Sequence, residues 1–218
     1  QIYTTLRGEI ILGHRKPGQR LAANDLKRRF GTSVTPVRDA LQMLNQEGLV
    51  TIKPRSGYFI SRITLKKLRD MLELREILEV AAVERAAALI TDAQIDGLKT
   101  VHSGYTGDDD LAYTRYTDEN RQFHYLLAQA SGNQELALAL RTLHDRLARF
   151  MVIRKAGEKL ADIHGLLIDR LAARDVAGSK KAILEEVRHS RLAIIDRVTR
   201  EDSANWHVGT GAKNVAEE

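Results

Sequence analysis

Apolar and polar positions divide the chain into short elements before residue 62 and long helices after residue 64. In the first part, apolar residues recur at helical spacing over 2–12, 23–30 and 34–47, and glycines at positions 13, 31 and 48 end these segments. Ser33 stands where the N-cap of the third helix is expected. A pair of helices joined by a tight glycine turn is typical of a helix-turn-helix.

A stretch with strand character follows the third predicted helix. The β-prone runs 49–52 and 58–60 flank the segment Lys53-Pro54-Arg55-Ser56-Gly57, which carries both turn-forming residues and basic charge. The pattern predicts a β-hairpin whose basic tip projects as a wing.

From Thr64 onward the periodicity is helical, and no proline follows position 54. Six helices in series with short loops predict a helical bundle, at 64–90, 91–103, 109–131, 134–155, 158–173 and 175–200. Residues 201–218 are polar, without periodicity, and are expected to form a tail. The predicted fold is mainly α: a winged helix-turn-helix at 1–62, then an all-α antiparallel bundle at 64–200.

Composition limits the chemistry that the chain can perform. Its 218 residues include no cysteine, which excludes disulfides, thiolate zinc sites and cysteine nucleophiles. A metal ion would have to be bound by histidine, carboxylate or amide groups. No apolar run approaches the roughly 18 residues of a transmembrane helix, and the first 20 residues are charged. A cytoplasmic protein without a membrane partner is therefore expected.

The net charge of +5 is unevenly distributed. Residues 1–62 contain 11 basic and 4 acidic side chains, whereas the remaining 156 residues contain 23 basic and 25 acidic ones. A basic first quarter joined to a mildly acidic remainder is typical of a polyanion-binding module attached to a domain with another task. A solvated basic surface would give the same imbalance.

The segment GTSVTPVRDALQMLNQEGLV, followed by KPRSGYFI, resembles the winged helix-turn-helix of the GntR family of bacterial transcription regulators. The resemblance implies double-stranded DNA as a partner and assigns DNA contacts to Ser33, Thr35, Arg38 and Gly57. Arg28, Arg29 and Arg55 fit phosphate contacts by charge and position.

Physical chemistry supports several of these assignments. Arg38 follows the start of the third helix by one turn, where a recognition helix contacts base edges, and arginine pairs bidentately with guanine. The alternative for Arg38 is a surface ion pair with Asp39 or Asp25. Many relatives carry arginine where this chain has Val34, so the operator sequence is not transferable.

The later helices resemble the FCD ligand-binding domain of the FadR-like GntR branch, over about residues 64–200. The segments that carry the resemblance are LELREILEVAAVERAA, NRQFHYLLAQASGN, Ile163-His164 and Val187-Arg188-His189. In this family a carboxylate, a histidine four residues later and two further histidines bind a divalent metal. The matching positions here are Asn120, His124, His164 and His189.

Three histidines suit Zn²⁺, Ni²⁺ or Mn²⁺, and an open coordination position could hold a small carboxylate effector. Asn120 stands where an aspartate is usual, so we expect an uncharged ligand set that holds the metal more weakly. The four other histidines, His14, His102, His144 and His207, match no family position.

Arg75 lies where relatives place an arginine that faces the ligand cavity, and a guanidinium there would suit an organic acid effector. The alternative is a helix-surface pair with Glu79.

Three functions follow from these observations. The leading hypothesis is a homodimeric transcription regulator that binds a palindromic operator and senses a small carboxylate, with no enzymatic activity. A metal-dependent hydrolase and a constitutive DNA-binding architectural protein are the alternatives. Repression and activation are equally compatible with the sequence.

Overall fold

The computed structural model describes residues 1–101, 110–151 and 157–200, with side chains undescribed at 110–114 and 157–163. Predictions that concern the remaining residues, including the tail at 201–218, lie outside the described residues. The first part contains three helices and a small sheet, in the order α1 (Ile2–Ile11), β1 (Arg20–Leu21), α2 (Ala23–Phe30), α3 (Val34–Gln46), β2 (Val50–Lys53) and β3 (Gly57–Ile60).

The helix-turn-helix forms where the glycine pattern predicts it. Gly31 caps the end of α2 in the left-handed conformation, with φ 61°, and Ser33 is the N-cap residue of α3. One hydrophobic core joins α1, α2, α3 and the sheet. Its buried members include Leu6, Ile10, Leu26, Val37, Leu41, Leu44, Leu49 and Ile60.

The wing is an antiparallel hairpin in which Val50 pairs with Ile60 and Lys53 pairs with Gly57. The sequence did not predict β1, which pairs with β3 to complete a sheet of order β1-β3-β2. A strand of two residues is too short to produce a recognisable alternation of apolar and polar positions.

The second part is a helical bundle of α4 (Leu65–Leu89), α5 (Asp92–Val101), α6 (Asp110–Ala130), α7 (Gln134–Met151), α8 (Gly157–Ala172) and α9 (Val176–Arg200). The mainly α fold class is confirmed. Helix α4 packs against α6, α7 and α9, and α8 packs against α5 and α9. Because α8 also contacts α4, this arrangement places α4 at the centre of the bundle, with α6, α7, α8 and α9 around it.

Polar contacts join the two parts. Arg7 on α1 is buried and lies 3.1 Å from Glu47 Oε2 and 2.9 Å from Asp118 Oδ1 on α6. Arg149 on α7 donates to the carbonyl oxygen of Ser61, just after the wing, at 2.7 Å. Helices α6 and α7 therefore contact the winged part directly.

Candidate functional site

Six buried polar side chains meet in the interior of the bundle, and we name them the histidine cluster. Each is at most 3% exposed to solvent: Arg75 and Glu79 on α4, His124 on α6, His144 on α7, His164 on α8 and Glu186 on α9. Buried ionisable groups are costly unless they are paired or bind an ion, so a cluster of this size indicates a functional site.

His124 is the centre of the cluster. Its Nδ1 lies 3.0 Å from Oε1 of Glu79, and its Nε2 lies 3.1 Å from Oε1 of Glu186. His144 Nε2 is 2.7 Å from the same Glu79 oxygen, and His164 Nε2 is 3.2 Å from the Glu186 oxygen. Each glutamate therefore contacts two imidazoles, and His124 contacts both glutamates.

Arg75 lies beside both carboxylates. Its Nε is 3.4 Å from Glu79 Oε1, its Nη2 is 3.5 Å from Glu186 Oε1, and its Nη1 donates to Ser190 Oγ at 3.1 Å. Arg75 does pair with Glu79, as the sequence suggested, but the pair lies in the interior rather than on the helix surface. An interior position is what binding of an organic acid effector by Arg75 requires.

The cluster separates the pKa values of its histidines. Burial alone would lower the pKa of His124, but Glu79 and Glu186 outweigh it and raise that pKa to about 9. Burial dominates at His144, where the pKa falls to about 4. Burial opposes ionisation of the two glutamates, yet their histidine neighbours hold both carboxyl pKa values below the usual range.

Near neutral pH the charges of the metal-free cluster therefore cancel. Burial also lowers the pKa of His164, so that imidazole is neutral like His144. Two carboxylates then balance one imidazolium, at His124, and one guanidinium.

The structure brings together only part of the metal set that the family resemblance implied. His124 and His164 lie in the cluster, and Asn120, one turn before His124, is buried. His189 is exposed and does not face the cluster, so its assignment as a metal ligand is corrected. Glu186 takes the inward position on α9 instead, because residues 186 and 190 share the inward face of that helix.

The ligand charge expected from the sequence changes with this correction. Glu186 supplies the carboxylate that Asn120 lacks, so the set Asn120, His124, His164 and Glu186 carries one negative charge rather than none. Sequence reasoning also missed Glu79 and His144. The signal for all three missed residues is a polar side chain inside an apolar helical stripe, such as Glu186 between Ile183 and Val187.

The donor atoms suit a divalent ion. Two groups place their ligand atoms within 4.8 Å of one another: Glu79, His124 and His144, and His124, His164 and Glu186. Carboxylate oxygens and imidazole nitrogens are ligands of Zn²⁺, Ni²⁺ and Mn²⁺. Oε2 of Glu79 and Oε2 of Glu186 are buried and make no hydrogen bond to any described residue, and an ion could satisfy such atoms.

The predicted DNA-binding side chains lie on the surface of the winged part. Ser33, Thr35 and Arg38 at the start of α3 are exposed. Arg38 pairs with neither Asp39 nor Asp25, and no described residue forms an ion pair with it; Asp25 instead pairs with Arg28 at 2.6 Å. The Arg38 guanidinium is therefore available for an external partner.

The wing tip presents further basic groups. Arg55 is exposed and adopts a φ of 60°, and Gly57 adopts a φ of +102°, which favours glycine. Arg28 and Arg29, by contrast, pair with Asp25 and Glu9. Both guanidinium groups would have to exchange a carboxylate for phosphate, whereas that of Arg55 would not.

Comparison with known families agrees with this geometry. Residues 1–60 match the model of the bacterial regulatory proteins of the gntR family, and residues 70–189 match the FCD domain. The chain belongs to the FCD-containing GntR regulators. A GntR regulator of this kind is a DNA-binding transcription regulator with an effector domain, not an enzyme, so the hydrolase alternative is wrong.

Relatives and solved structures of GntR regulators are similar over most of their length. The Nta operon transcriptional regulator of Aminobacter aminovorans is 30% identical over 162 residues, which cover 72% of this chain and 77% of that protein. The HTH-type transcriptional repressor RspR of Escherichia coli is 26% identical over 212 residues, covering 94% and 92%. The structure of E. coli McbR/YncC superposes with a TM-score of 0.72 at 22% identity, over 91% of this chain and 97% of that one.

Among the described helices, none combines the length and the apolarity that crossing a membrane requires.

Proposed function

We propose that this GntR regulator is a homodimer that binds a palindromic operator and changes its DNA affinity when a divalent ion and a small carboxylate bind in the histidine cluster. Residues 1–62 would bind DNA, and residues 64–200 would bind the effector and form the dimer. The observation that carries the proposal is that α6 and α7 hold cluster residues and also contact the winged part, through Asp118 and Arg149.

DNA recognition would centre on the start of α3. Arg38 has an exposed guanidinium with no described ion-pair partner, which suits bidentate pairing with guanine. Ser33 and Thr35 would hold phosphates with their hydroxyl groups, since both are exposed at the helix start. Arg28 and Arg55 add positive charge beside this surface, and Gly57 lets the wing backbone approach a groove.

In the bundle, His124 Nε2, His164 Nε2, a Glu186 oxygen and the Asn120 carbonyl would hold the ion, which is Zn²⁺, Ni²⁺ or Mn²⁺. A bound divalent ion supplies a Lewis-acidic positive charge to which a small carboxylate can bind. Glu79 would orient His124, because a carboxylate that accepts from one ring nitrogen leaves the other ring nitrogen for the metal.

Charge balance favours an anionic effector in the loaded state. With His124 deprotonated, the two glutamates oppose one guanidinium and a doubly charged ion, which leaves one positive charge in a buried site. Arg75 is the side chain placed to bind the effector carboxylate, since its Nη1 and Nη2 lie among the cluster residues.

Exposed apolar side chains support a dimer formed by the bundle. Leu74 and Ile77 on α4 are 46% and 59% exposed, and Leu192 on the neighbouring helix α9 is 71% exposed. Large apolar groups at the surface of adjacent helices are typical of a protein interface. A Leu192→Glu variant should sediment as a monomer, whereas Leu166→Glu, on α8, should remain dimeric.

Repression is the regulatory direction that we propose, because the E. coli relatives RspR and GlaR are both described as repressors. A repressor of this type would bind its operator tightly without effector and release it when the effector binds.

Ligand screening followed by DNA binding tests the proposal. Metal-loaded protein is screened by thermal shift against small carboxylates, and each hit is added to the protein bound to an operator selected from random DNA. We expect at least one carboxylate to stabilise the protein and weaken operator binding, with both effects lost in His124→Ala. A carboxylate that stabilises His124→Ala equally would contradict the assigned site.

A further inference from the structure

A cavity of about 400 Å³ lies between the winged part and the bundle, remote from the DNA-contacting residues. We name it the joint cavity. Three basic side chains line it: Arg62 after the wing, Lys67 on α4 and Arg146 on α7. Three hydroxyl groups also line it, those of Thr51, Ser61 and Thr64, and none of the described lining residues is acidic. The hydroxyl groups of Thr51 and Ser61 hydrogen-bond each other at 2.9 Å, so the cations are the main feature of the cavity, which offers positive charge without a compensating anion.

The three cations also lack carboxylate partners elsewhere in the described chain. Among the described residues, Arg146 makes a weak contact to the sulfur of Met71 at 3.7 Å and no ion pair. Nearby arginines behave differently: Arg7 pairs with two carboxylates, and Arg149 donates to the Ser61 carbonyl. Clustered cations with no counter-charge repel one another, so binding of an external anion would be favourable.

Two of these arginines pack closely against glycines, which leave room for their side chains. A Cβ at Gly18 would collide with the Arg62 guanidinium, and a Cβ at Gly48 would lie 3.0 Å from Cγ of Arg146. Both glycines adopt positive φ, +82° and +72°, which favours glycine. Glycine at these two positions therefore permits both the backbone conformation and the close packing of the arginine. Side chains seated against backbone lose less conformational entropy when they bind a ligand than free surface side chains do.

DNA phosphates are not the expected occupant. The cavity is lined by Asn45 at the end of α3, whereas Ser33 and Arg38 lie at its beginning, and a helix of 13 residues is about 20 Å long. It likewise touches Thr51 and Ser61 at the base of the wing, not the tip at Arg55. A duplex bound by the recognition surface would lie at the opposite end of both elements.

We propose that the joint cavity binds a small phosphate-class dianion, either inorganic phosphate or the phosphate group of a phosphomonoester. Two arginines and a lysine suit a dianion, the arginines can donate paired hydrogen bonds to phosphate oxygens, and the volume lies within the range of small-molecule sites. The bound anion would join the linker, α4 and α7, and so favour one orientation of the winged part. This site is separate from the histidine cluster.

Titration of the full-length protein with inorganic phosphate tests the site, with ionic strength held constant by sodium chloride. Phosphate binding is followed by ³¹P line broadening and by the shift of the thermal midpoint. We expect saturable binding that weakens roughly tenfold or more in Arg146→Gln and in Lys67→Gln, because each loses a charge-assisted hydrogen bond. Lys66→Gln is the matched control, since Lys66 is the adjacent residue, exposed and paired with Asp70 at 2.8 Å, and it should bind like wild type.

Several results would overturn the proposal. The first is the absence of saturable phosphate binding. The second is an equal loss of phosphate affinity in Lys66→Gln and Lys67→Gln. The third is binding of succinate as tight as that of phosphate, which would make the site a general carboxylate site. Should Arg146→Gln fail to fold, Lys67→Gln still decides, because Lys67 is exposed. Phosphate binding that survives in His124→Ala would show that the two sites are independent.

Discussion

The guanidinium of Arg7 lies 2.9 Å from the carboxylate of Asp118, and this pair joins the first helix of the DNA-binding part to the helix that carries His124. Asp118 and His124 are six residues apart on α6, about 9 Å along the helix axis. A small shift of α6 at the cluster would therefore reach Arg7. The contact between Arg7 and Asp118 can therefore couple the histidine cluster to the DNA-binding part, as the proposed regulation requires.

Asp118→Asn should weaken the coupling between the histidine cluster and the DNA-binding part without unfolding the protein. Arg7 keeps Glu47 as a partner, so the loss of unfolding free energy should be about 1 kcal/mol or less, as for partly exposed ion pairs. Operator affinity should respond less to metal than in wild type. The measurement is operator binding with and without metal, and Asp96→Asn, which removes an exposed partner of Lys99, is the control. An unchanged metal response in Asp118→Asn would exclude this pair from the coupling.

Glu79→Gln should lower metal affinity by about 10- to 100-fold, the usual cost of losing a carboxylate that orients a ligand histidine. The amide retains the shape of the side chain but loses the negative charge 3.0 Å from His124 Nδ1. Competition with a chelating dye measures the affinity. Glu76→Gln is the control, because Glu76 lies one turn earlier on α4 and pairs with Arg188. Equal affinity in the Glu79 and Glu76 variants would contradict the orienting role.

Arg38→Ala should cost on the order of 1–3 kcal/mol of operator binding and relax specificity at one base pair. Arg28→Ala should weaken binding to all DNA sequences alike, because a phosphate contact carries no sequence information. It should also reduce the number of counterions released on binding, measured from the salt dependence of the affinity, by about one. Binding to operator and to random DNA at several salt concentrations separates the two effects. A uniform loss in Arg38→Ala would assign Arg38 to the phosphate backbone instead.

The metal-free protein should lose stability as the pH rises from about 7 to 9. The folded-state pKa of His124, about 9, exceeds its ordinary value, so the stabilisation is complete at low pH and disappears as the pH passes through the folded value. Urea unfolding in the presence of a chelator at a series of pH values measures the effect. His124→Gln should remove most of this dependence, and an equally steep decline in that variant would place its origin elsewhere.

Particular residues show what the sequence could and could not predict. The short helices were predictable because glycines end them, and His124 and His164 were identified through the family resemblance. His189 was assigned through the family resemblance, whereas the apolar stripe of α9, in which Ile183 and Val187 flank Glu186, marks Glu186 as the inward residue. Glu79 and His144 matched no family ligand position. Their places inside apolar stripes mark them as buried, but their contacts with His124 depend on how α4, α6 and α7 pack together, which no local pattern contains.

Metal stoichiometry of a matched pair of histidine variants tests the central claim most directly. Purified wild type, His164→Ala and His189→Ala are loaded with Zn²⁺, freed of excess ion and analysed by mass spectrometry of the metal. We predict one ion per chain in wild type and in His189→Ala, and loss of the ion in His164→Ala. Retention of the ion in His164→Ala, or its loss in His189→Ala, would contradict a metal site built on His124, His164 and Glu186.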